Sequence, residues 1–138
     1  MIRLHRDMVT AMLVHAENCD PEESCGLIAT DPDGILRMVF PLTNALRSST
    51  NYTIEPREHF RAQRHADARG WEITGVFHSH PHTQAYPSPT DVRLAPDPGW
   101  LYLLVGMEDR GHPVVRGFRI TDGRISEETL EVQERNHP

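Results

Sequence analysis

Two histidines separated by a single residue are the clearest candidates for chemistry in this sequence. His78 and His80 end the segment EITGVFHSH, whose composition is typical of a β-strand. On a strand, residues i and i+2 point to the same face about 6.6 Å apart, so two imidazoles can converge there on one metal ion. A catalytic zinc site uses three nitrogen, sulfur or carboxylate ligands from the protein and leaves one position to water. The pair therefore predicts a metal site that needs a third ligand.

Asp91 is the natural candidate for the third ligand. The proline-rich loop after His80 can fold back, and residues 88–91, Ser-Pro-Thr-Asp, would bring the carboxylate in at the start of a helical turn. The same four residues are also an ordinary helix N-cap signature, and the two roles can coexist. His82 is the rival ligand because it shares the alternation of the strand. Pro81 precedes it, however, and the chain is leaving the strand there, which favours a loop position near the site.

A metal site that hydrolyses amides also needs a group that takes a proton from water and passes it to the leaving amine. The segment PEESCG offers Glu22 and Glu23 directly before a predicted strand. Because side chains alternate along a strand, only one of the two can face inward. Both remain candidates for the general base at this point.

The first half of the chain must position these groups on a small number of elements. Residues 5–18 have apolar side chains at helical spacing, and residues 56–70 begin with proline and end with glycine, so both segments predict helices. CGLIAT and ILRMVF, joined by DPDG, predict a hairpin that Pro41 ends. NYTI predicts a short strand.

The second half carries the candidate site between two buried strands. The segment EITGVFHSH predicts a strand, PHTQAYPSP a loop, TDVRLA one short helical turn, and WLYLLVGM a central buried strand. PVVRGFRI and ISEETLEV should complete the sheet. We therefore expect a single α/β domain over residues 1–138, built around a mixed sheet with helices on both sides.

Composition and charge narrow the possible partners. Fourteen basic and twenty acidic residues give a net charge of -6, and the arginines are scattered along the sequence without a basic stripe, so nucleic acid is not expected. No apolar run approaches the length of about 18 residues that a membrane helix needs, and no signal peptide is evident. We expect a cytoplasmic protein that does not bind membranes, with Cys19 and Cys25 reduced.

The other histidines and two aromatic residues receive no role in the site. Tyr86 and Trp100 could line a substrate groove, but large aromatics near a sheet edge are usually packing residues. Six histidines lie on predicted helix faces, in turns or near the terminus, and we expect all of them to be solvated: His5, His15, His59, His65, His112 and His137.

The stretch HSHPHTQAYPSPTD, with PEESCG upstream, resembles the JAMM or MPN-plus metalloprotease family. The family signature is an upstream glutamate followed by His-x-His-Pro and then by Ser and Asp three residues apart. The resemblance implies a single-domain MPN architecture, similar to that of cytidine deaminases. It also implies one Zn²⁺ per chain bound by His78, His80 and Asp91, with Glu23 as the general base and Ser88 as a donor to the oxyanion of the tetrahedral intermediate.

The compact size is similar to that of the bacterial Mec-type peptidases within this family. That resemblance implies hydrolysis after the Gly-Gly tail of a ubiquitin-like sulfur carrier protein, releasing cysteine or another adduct in cysteine biosynthesis. A deubiquitinase-like isopeptidase is the alternative, although the short connections leave little room for inserted ubiquitin-binding loops. A non-catalytic MPN scaffold is disfavoured by the intact ligands. A DNA-repair-associated relative is disfavoured by the acidic balance.

Overall fold

A six-stranded mixed sheet forms the centre of the computed structural model, which describes residues 1–95 and 97–134. The elements in chain order are β1 (Ile2–His5), α1 (Arg6–Cys19), β2 (Cys25–Thr30), β3 (Leu36–Leu42), α2 (Pro56–Ala68), β4 (Glu72–His80), α3 (Pro89–Arg93), β5 (Leu101–Gly106), β6 (Val114–Thr121), β7 (Arg124–Glu128) and β8 (Leu130–Gln133). The sheet has the order β3-β2-β4-β5-β6-β7, and neighbouring strands are antiparallel except for the parallel pair β4 and β5.

One face of the sheet packs against α1. The side chains of Ile28, Phe77 and Leu103 come from three neighbouring strands and are fully buried, together with Met12 and Ala16 of the helix. Because successive side chains of a strand point to opposite faces, the residues between them belong to the other side.

The opposite face packs against α2. Leu27, Val76 and Leu104 alternate with the residues of the first face, and Ala62 of α2 is buried among them. The expected mixed sheet with helices on both sides is therefore confirmed. None of the helices within the described residues is long and apolar enough to cross a membrane.

The prediction that ISEETLEV forms a single strand of the main sheet is wrong, because the segment contributes to two strands. β7 extends the main sheet, whereas β8 turns away at Thr129 and pairs in parallel with β1 in a separate two-stranded sheet. A four-residue strand such as β1 has too few residues for a recognisable alternation. Its partner lies at the far end of the sequence, so the pairing is invisible locally.

Two smaller expectations also require correction. Pro41 does not end the hairpin but lies within β3, opposite Gly26. β3 is an edge strand, where a residue without an N–H can be accommodated. The segment NYTI does not form a strand: only Ile54 makes an isolated bridge, to Asn44, and the rest of residues 51–54 is irregular.

Candidate metal centre

The two histidines of the sequence motif lie at the carboxyl end of β4, in the middle of the sheet. β4 is held by β2 on one side and β5 on the other, and both His78 and His80 are buried. Their rings are 5.1 Å apart, centroid to centroid. The central position of the strand fixes both side chains on the same face.

Asp91 meets both histidines from the short helix α3. Its Oδ2 atom lies 3.2 Å from Nε2 of His78 and 3.0 Å from Nε2 of His80. The carboxylate is presented by a capping box: Ser88 Oγ accepts from the Asp91 N–H at 3.0 Å, and Asp91 Oδ2 accepts from the Ser88 N–H at 2.9 Å. Pro89 begins the helix as expected. The helix cap therefore holds Asp91 at the site.

The three side chains form a tightly coupled electrostatic group. Burial disfavours the charged form of Asp91, but the neighbouring imidazoles of His78 and His80 outweigh burial and hold the pKa of Asp91 well below its usual range. Burial lowers the pKa of His78. Burial also acts to lower the pKa of His80, but hydrogen bonds to Asp91 and to the Gln84 carbonyl outweigh it, so the pKa is raised.

The orientation of His80 is suited to a metal ligand. Its Nδ1 lies 3.0 Å from the backbone oxygen of Gln84, to which a protonated Nδ1 donates. That bond leaves Nε2 as the ring atom that faces Asp91. A cation can there replace the proton that Nε2 shares with the Asp91 carboxylate. Ligating histidines commonly have such a carbonyl partner on the other ring nitrogen.

Glu23 is the glutamate that faces the interior. It lies two residues before the start of β2, is 3% exposed, and its Oε1 has no hydrogen-bond partner within the described residues. Burial raises its pKa to about 8. The charge of His80 lowers this pKa and the charge of Asp91 raises it, both by less than burial does. Glu22 is half-exposed and forms an ion pair with Arg47 at 3.8 Å. Of the two candidates, only Glu23 lies inside the protein.

The backbone around Glu23 is held by residues that the sequence did not single out. The Ser24 N–H donates to Ser79 Oγ at 2.8 Å, and the Ser79 N–H donates to the Ser24 oxygen at 3.1 Å. Asn44 donates from Nδ2 to the Glu23 oxygen at 3.1 Å, and the Glu23 N–H donates to the Ser48 oxygen at 2.8 Å. Ser79 lies between the two histidines in the sequence. That position was the one sequence feature that could have indicated a role for Ser79 near the site.

Tyr52 covers His78 from the loop before α2. Its ring stacks on the imidazole with a centroid distance of 4.5 Å and an angle of 28°. Burial raises the pKa of the Tyr52 hydroxyl, so it stays neutral at physiological pH. No local pattern in the sequence indicates this contact, because it depends on how the loop returns over the sheet.

A cavity of about 360 Å³ opens beside the three-residue group. His78 and Asp91 form one end, and most of the remaining wall is apolar. The wall includes Trp100, for which both packing and a place in a substrate groove were open, and His59, which was expected at the surface. Other lining residues come from the loop before α2, from the turn after α3 and from the sheet: Asn51, Tyr52, Thr53, Ile54, Leu94, Ala95, Tyr102 and Ile120.

His82, the rival ligand, lies outside the group that could bind a metal. Among the described residues the convergent ligand atoms belong to His78, His80 and Asp91, and they lie within 4.8 Å of one another. His82 is exposed, and its Nδ1 is 3.4 Å from Arg110, which also forms an ion pair with Asp20.

The expectation that the remaining histidines are solvated is confirmed for His5 and His112 and wrong for three others. His15, His59 and His65 are half-buried. His15 Nε2 lies 2.8 Å from the Leu42 oxygen, which ties α1 to the hairpin. His137 lies outside the described residues.

The residues present fit a zinc ion. Two imidazoles and a carboxylate are the donor set that zinc prefers, and three protein ligands suit a catalytic site. His78 Nδ1 and Nε2 are buried without a well-formed hydrogen bond, as is Glu23 Oε1, within the described part of the chain. Buried polar atoms are normally satisfied, so an unsatisfied His78 Nε2 that faces the Asp91 carboxylate indicates that a ligand belongs between them.

Comparison with known proteins identifies the family of this chain. Residues 5–120 match the family model described as prokaryotic homologs of the JAB domain. The chain belongs to this JAB family. The resemblance drawn from His78, His80, Ser88 and Asp91 is thereby confirmed at the level of the family.

Individual members of the JAB family show how far the likeness extends. The CysO-cysteine peptidase of Mycobacterium tuberculosis is 38% identical over 133 residues, which cover 95% of this chain and 90% of that protein. The desampylase of Haloferax volcanii is 32% identical over 92 residues, or 65% of this chain and 66% of that protein. A JAB1/MPN domain protein from Archaeoglobus fulgidus has a TM-score of 0.63 at 19% identity, covering 96% and 97% of the two chains, and shows the MPN fold alone. These JAB relatives indicate a hydrolase.

Proposed function

We propose that this chain is a zinc-dependent peptidase that hydrolyses the amide bond after the C-terminal Gly-Gly of a ubiquitin-like sulfur carrier protein, releasing cysteine or a similar adduct. The observation that carries the proposal is the convergence of His78, His80 and Asp91 near a buried Glu23 whose Oε1 has no hydrogen-bond partner among the described residues. We treat residues 1–138 as one catalytic domain acting in the cytoplasm, where its two free cysteines would stay reduced.

His78, His80 and Asp91 would bind one zinc ion. When bound, zinc polarises the substrate carbonyl and lowers the pKa of water, so that water becomes a nucleophile at neutral pH. The chain supplies the rigidity that this chemistry needs: β4 holds the two histidines, and the α3 cap holds Asp91. The Gln84 carbonyl orients the His80 ring.

Glu23 would act as the general base and then as the general acid. Burial raises the pKa of Glu23 to about 8 in the metal-free protein, and a nearby cation would lower that pKa towards neutrality, where a carboxyl group can both accept a proton from water and return it to the leaving amine. Burial is the main cause of the raised pKa of Glu23.

Ser88 would stabilise the oxyanion that develops on the scissile carbonyl. Its Oγ already accepts from the Asp91 N–H, so the hydroxyl hydrogen stays available for donation. The cap therefore sets the position of the hydroxyl next to the metal ligand Asp91. Such preorganised donors contribute about 10²–10³ in rate in other hydrolases.

The carrier substrate is supported by the relative from Mycobacterium tuberculosis, whose name is CysO-cysteine peptidase. The likeness to that protein extends over nearly the whole chain. The cavity beside His78 and Asp91 gives room for the residues that flank the scissile bond. An isopeptidase acting on protein conjugates is the second candidate, favoured by the likeness to a desampylase.

The test combines metal content with cleavage of a sulfur carrier protein that has cysteine after its Gly-Gly. We expect wild type to contain one zinc per chain and to release cysteine. Glu23→Gln should retain zinc and lose about 10²–10⁴ in turnover, which is the range for a general base. Glu22→Gln is the matched control and should keep both properties. His78→Ala should lose both.

The outcomes separate the parts of the proposal. Absence of zinc from wild type, after purification without chelators, would contradict the metallopeptidase. Zinc binding with cleavage of a lysine-linked conjugate but not of the cysteine adduct would favour the isopeptidase. Equal losses in Glu22→Gln and Glu23→Gln would contradict the assignment of the base.

A further inference from the structure

The outward face of α2 carries a row of arginines with an aromatic ring among them. Arg57, Arg61 and Arg64 are spaced by four and three residues, which places them on one side of a helix, and all three are exposed. Phe60 lies in the same row with 62% of its surface exposed. The Arg64 guanidinium stands over the Phe60 ring at 5.9 Å. We call these four residues the α2 patch.

The arginines of the α2 patch have no acidic partner within the described residues, where none of the three forms an ion pair with a carboxylate. Of the arginines that the structure describes elsewhere, seven do form one, whereas Arg69, Arg93 and Arg124 do not; the seven are Arg3, Arg6, Arg37, Arg47, Arg110, Arg116 and Arg119. What sets the α2 arginines apart is that three of them share one helix face around an exposed aromatic ring.

The carboxylates of α2 itself are engaged in other contacts. Glu58 accepts from the Thr43 N–H at 2.8 Å, and Asp67 accepts from the Gln63 side chain at 2.9 Å. The patch is therefore a local positive region on a protein whose net charge is -6. The helix aligns three arginines on one face that look scattered in the sequence.

The α2 patch adjoins the cavity of the candidate metal centre. Ile54 and His59, which flank the start of α2, line the same cavity as His78 and Asp91. Phe60 follows His59 directly and turns outward. A substrate tail that occupies the cavity would therefore lead the protein to which it is attached onto the surface beside α2.

We propose that the α2 patch docks the folded body of the protein substrate, through a surface on that body that is acidic around an apolar centre. This inference rests on the proposed function and names what recognises the carrier outside its Gly-Gly tail. Glycine offers no side chains, so selectivity must come from contacts beyond the tail. Arginine and aromatic residues are enriched at protein–protein interfaces, and unpaired surface charges steer association.

A protein partner fits this patch better than nucleic acid does. From residue 57 to residue 64 a helix advances only about 10 Å, which is short compared with the basic stripe needed to follow a phosphate backbone. The net charge of -6 repels a polyanion at longer range. The exposed Phe60 gains from an apolar contact that phosphates do not provide.

The decisive experiment measures the dissociation constant of a ubiquitin-like sulfur carrier protein with an acidic surface and a free Gly-Gly end, by titration calorimetry. Arg61→Glu is compared with Arg124→Glu, which makes the same charge change at an exposed arginine of β7. This strand forms the edge of the sheet that is farthest from the edge strand β3. We expect Arg61→Glu to weaken binding about tenfold and the triple reversal of the patch arginines to weaken it more. Arg124→Glu should leave it unchanged.

Two further measurements sharpen the test. Raising the salt concentration should weaken carrier binding by wild type and have little effect on the triple variant. Phe60→Ala should weaken binding without changing the salt dependence. In kinetics, the patch variants should raise KM for the carrier adduct, keep kcat, and cleave a short Gly-Gly-Cys peptide as wild type does.

Equal weakening by Arg61→Glu and Arg124→Glu would overturn the docking inference, as would carrier binding that none of the patch variants changes. Loss of double-stranded DNA binding in the triple variant, with carrier binding intact, would overturn it in favour of nucleic acid. Because binding is read without turnover, a chain that binds the carrier through α2 but cleaves nothing would refute only the proposed function.

Discussion

Replacing Glu23 by glutamine should change how the stability of the metal-free protein depends on pH. Glu23 is 3% exposed, and burial raises its pKa from 4.5 to about 8. Between these pH values the native protein holds a proton that the unfolded chain releases, so stability falls as pH rises. Stability linked to this group is fully present below pH 4.5 and is lost as pH rises through 8.

The magnitude follows from the width of that interval. One pH unit is worth about 1.4 kcal/mol per proton, so the three units from pH 5 to pH 8 cost wild type about 4 kcal/mol through Glu23. Glutamine does not titrate. Relative to wild type, Glu23→Gln should therefore gain about 4 kcal/mol between pH 5 and pH 8, whatever the buried amide costs at both values.

Urea unfolding of zinc-free protein at the two pH values measures this difference. With a slope of about 2 kcal/mol/M, the urea midpoint of Glu23→Gln relative to wild type should rise by roughly 2 M from pH 5 to pH 8. Glu22→Gln removes a carboxylate from the neighbouring half-exposed position and should follow wild type. If wild type and Glu23→Gln show the same pH dependence, Glu23 is not buried as described and its role as a tuned base is refuted.

Three further predictions concern the surroundings of the site. Ser88→Ala removes the cap of α3 and should lower the free energy of unfolding of the zinc-free protein by about 1 kcal/mol in urea, whereas Ser88→Thr should retain most of it. Gly106→Ala would place a Cβ 2.4 Å from the backbone nitrogen of Ala85, so it should lower the free energy of unfolding by about 1–3 kcal/mol and shift the loop before Ser88. An unchanged melting temperature would contradict the packing described. Burial raises the pKa of Cys25 to about 12, so a thiol reagent should label Cys19 alone in native protein and both cysteines in urea.

Much of the candidate site is encoded locally. His78 and His80 share a face because a strand has a period of two, and Ser88 and Asp91 approach each other because a helix start brings residues three apart together. Both facts depend on a few consecutive residues. For the same reason the main strands and helices were predicted close to their observed positions.

The expectations that failed concern contacts between distant parts of the chain. The parallel pairing of β1 with β8 joins the two ends of the sequence, and Pro41 continues β3 only because that strand is at an edge of the sheet. Neither the position of a strand in a sheet nor its partner follows from its own residues. Tertiary packing decides both.

The sequence by itself determined the residue types of the site and their local geometry, because strand alternation and helix capping act over a few residues. Only the tertiary structure decided that Asp91 reaches the two histidines, that Glu23 rather than Glu22 is buried, and that Tyr52 covers His78. It also decided that Arg57, Arg61 and Arg64 of α2 share one face and have no acidic partner in the part of the chain that the structure describes. Burial, pKa and charge pairing depend on what surrounds a side chain, and those surroundings come from segments far away in the sequence.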